Sequence, residues 1–205
     1  MGPIELTTAA LLAAVVARFG VGWDTIPPLV AAVSLVTLAA VDWRSGRLPD
    51  AITLVTSVAS LAAIGASAIA TGQTAAVVAA AAAAVGYGAV MWVAHELRPG
   101  GLGFGDVKLA PLLGLHIGWT AATSGRGWSA VASLVAQALV LSCLIGLAMG
   151  LVLGLVRRRG RQHQPDAGPG AAPAPTGLLD TAFPFGPGLA AGTMIAVLFP
   201  EVLLL

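Results

Sequence analysis

Seven apolar stretches, each close to the length of a bilayer-crossing helix, follow one another along this chain with only short polar interruptions. They lie near 6–22, 28–43, 51–71, 74–95, 105–123, 129–156 and 183–205. Crossing the hydrocarbon core takes roughly 20 apolar residues in a helix, within a range of about 17–25. Hydrocarbon offers no hydrogen-bond partner to a backbone, so segments of this kind must satisfy themselves as helices. The expected fold is therefore all-α: a polytopic transmembrane bundle of about seven helices, with residues 1–205 forming one membrane-embedded domain. Composition agrees, since 58% of residues are apolar and only 9% charged, against about 25% charged in soluble domains. Gly20, Gly22, Pro27 and Pro28 crowd the turn between the first two stretches. Residues 1–5 hold no lysine or arginine and no small-residue cleavage site follows, so the first stretch is expected to persist as a helix rather than be removed as a signal peptide.

The basic residues orient the bundle. With the N-terminus in the cytoplasm, the connections after helices two, four and six also lie inside. Those regions hold Arg44, Arg47, Arg98, Lys108, Arg157, Arg158, Arg159 and Arg161, eight of the 10 basic residues, leaving Arg18 and Arg126 outside. This asymmetry is the one that the positive-inside tendency predicts. The net charge of +1 gives no broad basic surface, and nucleic acid is not an expected partner.

Two acids stand out against this background. Asp42 ends the second apolar stretch, in Val41-Asp42-Trp43-Arg44, and Asp106 opens the fifth, in Gly103-Phe104-Gly105-Asp106-Val107-Lys108. An acidic side chain at membrane depth costs roughly 2.5–3.5 kcal/mol on insertion scales, so such residues mark functional sites. The topology puts both at the cytoplasmic face, where they can meet. Adjacent carboxylates titrate as a coupled pair sharing a proton. One can then act as base towards water while the other acts as acid towards a carbonyl oxygen.

The segments around these acids resemble a known family. Gly103-Phe104-Gly105-Asp106-Val107-Lys108 is similar to the Gly-x-Gly-Asp-x-Lys motif of the type IV prepilin peptidases, membrane aspartyl proteases that process pilin and pseudopilin precursors. Asp42, followed by Arg44, Arg47 and Leu48-Pro49-Asp50-Ala51-Ile52-Thr53, resembles that family's first catalytic region. Phe183-Pro184-Phe185-Gly186-Pro187-Gly188-Leu189-Ala190 resembles its C-terminal Pro-Phe-Gly-Pro-x-Leu-Ala. The three matches occur in the family's order. The resemblance implies Asp42 and Asp106 as the catalytic pair, with Asp50 a second choice to Asp42. Gly103, Gly105, Lys108, Pro49, Asp50, Pro184, Gly186 and Pro187 are then substrate-binding or motif-supporting residues. It further implies cleavage after a glycine, between a basic leader and the apolar helix of a precursor, at the inner face of a bacterial cytoplasmic membrane. The products would serve a type IV pilus or a protein-secretion system. Long members of the family carry an extra domain with paired Cys-x-x-Cys motifs, linked to N-methylation of the product. With Cys143 alone in an apolar run, and His95, His116 and His163 on separate segments, no four-ligand zinc site is expected. The resemblance is thus to a short form, with neither a methyltransferase activity, a metal nor a cofactor.

Two other classes would also place carboxylates in a membrane. An ion-coupled transporter holds them near the midplane, whereas these cluster at one face. Presenilin-like and signal-peptide-peptidase-like proteases share a Gly-x-Gly-Asp acid, but pair it with a Tyr-Asp sequence, and here Val41 precedes Asp42.

The remaining features read more simply. Gly100, Gly101, Gly103 and Gly105 lack a Gly-Lys-Ser/Thr continuation, so they suggest unusual backbone angles or close approach to a substrate rather than a phosphate cradle. Lys108 is a partner for Asp106 or the substrate, or else an anchor at the membrane face. His95 and Glu96 read as interfacial polar residues. Pro184 and Pro187 are expected to break the start of helix seven. Gly146, Gly150 and Gly154 form a small-residue row, for contact within the bundle or, less readily, for a homodimer seam. From 157 to 180 the composition turns to Arg, then Pro, Gly and Ala, which predicts a mobile cytoplasmic loop with its arginines at anionic headgroups.

Overall fold

The computed structural model of the chain describes residues 2–45, 49–97, 103–161 and 185–204. These residues fold into helices without a strand. The helices are α1 (Pro3–Phe19), α2 (Ile26–Ser45), α3 (Asp50–Thr71), α4 (Thr74–Leu97), α5 (Phe104–Thr123), α6 (Gly127–Arg161), α7 (Gly186–Leu198) and a short α8 (Pro200–Leu203), with a 3-10 turn at Trp23–Thr25 between α1 and α2. All seven expected segments are helical. Local chemistry sets their ends. At the start of α1 the Glu5 carboxylate accepts the Gly2 backbone N–H at 2.7 Å, satisfying one orphan donor of the first turn. At the end of α3, Gly72 takes the left-handed conformation (φ 72°) that closes helices at low steric cost.

Two ends of the architecture differ from expectation. α6 continues as helix through Arg161 where a loop was expected from 157, and the rest of that expected loop lies outside the described residues. The final segment is not one helix: α7 stops at Leu198 and Pro200 starts α8, because a proline cannot donate to the preceding turn and its ring collides with it.

Among the described residues, four helical stretches are long and apolar enough to cross a bilayer: Trp23–Ser45, Asp50–Thr71, Thr74–Leu97 and Gly127–Val156. α5 is equally long at 20 residues but carries Asp106, Lys108 and His116. It tolerates them because it is the central helix, buried almost without interruption from Asp106 to Ala121. Polar groups at membrane depth turn to the bundle interior, and His116, 1% exposed, does so by bonding Ser60 Oγ of α3 at 2.9 Å.

Small residues let the helices close on one another. A methyl group on Gly118 of α5 would lie 2.5 Å from Ala83 Cβ of α4, and one on Gly114 would overlap the Ala83 carbonyl. The low-complexity alanine run of α4 is therefore one half of a tight seam, with Ala79, Ala80 and Ala83 buried in it. Gly88 of α4 faces the ring of Pro111, the proline inside α5. A second seam joins α6 to α7. Gly188 sits against the Gly146 backbone and Gly192 against Ser142, so the first glycine of the α6 row is used within the bundle. Cys143, which stands in an apolar run of the sequence, is exposed on the outer surface of α6. Apolar surroundings in a membrane do not distinguish core from lipid.

Candidate active site

Asp42 lies three residues before the end of α2 and Asp106 in the first turn of α5. Both side chains are withdrawn from the surface, at 6% and 7% exposure. The Asp42 charge acts on the Asp106 carboxylate, so the fold brings the two acids to one end of the bundle.

Each acid is held by a glycine backbone N–H. The first residue of α7, Gly186, donates to Asp42 Oδ2 at 3.1 Å. The Asp106 carboxylate accepts from Gly103, which is the N-cap of its own helix. In both cases a carboxylate faces the start of a helix, where free N–H groups and the macrodipole favour negative charge. The glycines are needed for room rather than for backbone freedom. Gly103 has an ordinary extended conformation, φ −65° and ψ 138°, so the expected unusual angle is not used there. A methyl group on it would lie 3.2 Å from Asp106 Oδ2, and one on Gly186 only 2.6 Å from Asp42 Oδ2. Pro187 occupies the first turn of α7, where its missing N–H costs nothing. It starts that helix and does not kink it.

The other expected site residues fall around the acids. Lys108, about one turn from the start of α5, pairs with Asp50 Oδ1 at 2.7 Å and not with Asp106. Its ammonium also lies 5.0 Å from the Phe104 ring centroid. Asp50, the rival to Asp42, is 74% exposed in that pair. Pro49 is the N-cap of α3 and is exposed, and Gly105 is half-buried in the first turn of α5. Pro184 lies outside the described residues. The ring of Phe104 packs edge-on to Trp92 of α4 with centroids 6.1 Å apart, and His95 lies 5.6 Å away. These contacts fix the first turn of α5, and hence Asp106, on the end of α4. Among the described residues no three His, Cys, Asp or Glu side chains cluster as metal ligands.

One link was not legible in the sequence: Gly186 as the donor to Asp42. Its motif drew attention, but nothing local joins positions 144 residues apart. A groove beside the acids was also unforeseen. It runs between α1, α2 and α7 with a volume of about 530 Å3, and its lining includes Trp43, Arg44 and Pro187.

Comparison with known proteins identifies the family. Residues 29–151 match the sequence profile of the type IV leader peptidase family, a span that contains both acids. Two curated proteins named prepilin leader peptidase/N-methyltransferase, from Burkholderia pseudomallei strains 1026b and K96243, are each 30% identical to the chain over 197 residues. The match covers 96% of this chain and 53% of each relative, so the chain spans about half the length of the curated relatives it matches. No solved structure matches. With a profile match over more than half of its length and two buried, interacting acids within the matched region, the chain belongs to the type IV leader peptidase family.

Proposed function

We propose that this protein is a membrane aspartic endopeptidase. It removes the basic leader from type IV prepilin-like or pseudopilin-like precursors, cutting after a glycine at the cytoplasmic face of a bacterial membrane. The observation that carries the reading is the convergence of Asp42 and Asp106, distant in sequence, as a buried and interacting pair at one end of the bundle. The family's name and the names of the relatives support a leader-peptide substrate.

The chemistry needs one proton between two acids, because like charges this close resist joint ionisation. The ionised carboxylate takes a proton from water as the water oxygen attacks the amide carbon. The protonated carboxylate gives its proton to the carbonyl oxygen, which yields a neutral tetrahedral diol. Collapse of the diol breaks the C–N bond, returns the hydroxyl proton to one aspartate, and passes the other aspartate's proton to the leaving nitrogen. Water, two carboxylates and one shared proton are all regenerated or accounted for. The Gly186 and Gly103 amides hold the two carboxylates in place through this cycle. A precursor with a basic leader and an apolar stem fits the expected orientation, since the leader stays at the positive cytoplasmic face while the stem enters the bilayer.

The test is co-expression with a small precursor bearing a basic leader, a glycine and an apolar stem. A shift to smaller size is expected, lost in Asp42→Asn and in Asp106→Asn and kept in Asp50→Asn. Cleavage retained in either of the first two variants refutes the assignment of the pair.

A further inference from the structure

Two openings lie near the acid-bearing ends of α2 and α5 and differ in chemistry. On the Asp42 side is the groove between α1, α2 and α7. It starts at Trp43 and Arg44, which directly follow Asp42, and at Pro187, which directly follows the glycine bonded to it. From there it follows α7 as far as Leu198, with Val36, Ala40, Ala191 and Met194 among its walls. Apart from Arg44 and Thr7, the lining side chains are apolar. A second opening, a cleft of about 410 Å3 between α3 and α5, is lined by Asp50, Thr53, Ser57 and Lys108. A third opening, at Ala75, Ala122 and Trp128, lies at the opposite end of the bundle, where α4 and α6 begin and α5 ends.

Building on the peptidase reading above, we propose that the α1–α2–α7 groove is the docking site for the apolar helix of the precursor. Three features select that occupant. The groove begins at the residues that directly follow Asp42 and Gly186, so a helix seated in it ends near the acid-bearing end of α2. It extends along a 13-residue helix, about 20 Å at 1.5 Å per residue, which suits an elongated apolar partner. Its floor includes the small residues Ala39, Ala40, Ala190 and Ala191, and small side chains allow close helix approach in a membrane. Charge sets the direction. Arg44 at the mouth disfavours a basic leader inside the groove. The stem therefore occupies the groove and the leader lies outside it, beyond the acids.

Single-cysteine crosslinking tests this. In a Cys143→Ser, Asp106→Asn background, Ala191→Cys and Ile195→Cys place a thiol in the groove, and Val58→Cys and Leu61→Cys place one on the outward surface of α3. A precursor with one cysteine in its stem should form a disulfide with positions 191 and 195 and none with 58 and 61. In the active protein, Ala191→Trp should raise KM for the stemmed precursor about tenfold with little change in kcat, the pattern of lost uniform binding, while Val58→Trp leaves both unchanged. Links at α3 but not in the groove would overturn the docking site. So would no groove link together with normal kinetics for Ala191→Trp, the result expected if lipid fills the groove. Failure of the peptidase reading itself looks different, because the unsubstituted protein would then leave the precursor uncut.

Discussion

Asp42 and Asp106 are both buried and close enough for their charges to interact, yet are held in opposite ways. Asp106 is secured locally: it lies in the first turn of α5 and accepts a hydrogen bond from the N-cap of the same helix. Asp42 sits near the C-terminal end of α2, where its own helix offers no free N–H groups, and depends on Gly186 from a helix 144 residues away. One acid is thus set by a sequence motif and the other by tertiary packing. The packing in question is the α6–α7 seam, in which Gly188 and Gly192 rest on Gly146 and Ser142. A defect in that seam should disturb Asp42 and leave Asp106 alone.

The widest effect comes from the acids themselves. Asp42→Asn and Asp106→Asn are each expected to lower precursor processing by about 100- to 10,000-fold, and the double variant should be no worse than either single one. Additive losses, measured on purified protein with the same precursor, would mean that the acids do not act as a pair.

A smaller effect separates the two settings. Gly186→Ala puts a methyl group 2.6 Å from Asp42 Oδ2, so the carboxylate must move off its donor. Loss of a hydrogen bond to a charged group, roughly 1.5–3 kcal/mol, corresponds to about a 10- to 100-fold lower kcat. Gly103→Ala, whose methyl group would be 3.2 Å from Asp106 Oδ2, should cost roughly 0.5–1 kcal/mol as a poorer N-cap, about a two- to fivefold change in rate. Turnover and melting temperature measured together for both variants check this ranking. Equal losses would erase the distinction between local and long-range support.

The least effect is expected at the exposed pair. Breaking Lys108–Asp50 with Lys108→Met should change stability by at most about 1 kcal/mol, read as a small shift in thermal midpoint in detergent. A large loss of processing without that shift would give Lys108 a part in substrate contact.

The sequence resolved the helices well because hydrocarbon is a strict solvent: it demands length and apolarity and tolerates little else. The same uniformity hid what lies inside. Cys143 and Ala138 sit in similar apolar text on α6, yet Cys143 is exposed and Ala138 fully buried. Polar residues carried more information. Asp42, Asp106 and His116 are all buried, and each marks a helix surface that turns towards other helices. Their partners stayed hidden, because Ser60 for His116 and Gly186 for Asp42 are set by packing between distant segments. The family's motifs led to Gly186, but as a substrate-binding or motif-supporting residue rather than as an amide donor to Asp42. The Lys108 motif position led towards Asp106, whereas its ammonium turns to Asp50.

At the other end of α7, Arg18 of α1 donates to the Leu198 carbonyl at 3.2 Å and to Glu201 at 2.7 Å. The guanidinium thereby occupies an otherwise orphaned acceptor where the helix dipole is negative. The first helix of the chain is thus latched to the rod whose opposite tip grips Asp42. A tag grafted onto residue 2 is expected to tilt that rod and to weaken the proposed activity from a distance, so engineered versions of this protein are better labelled elsewhere.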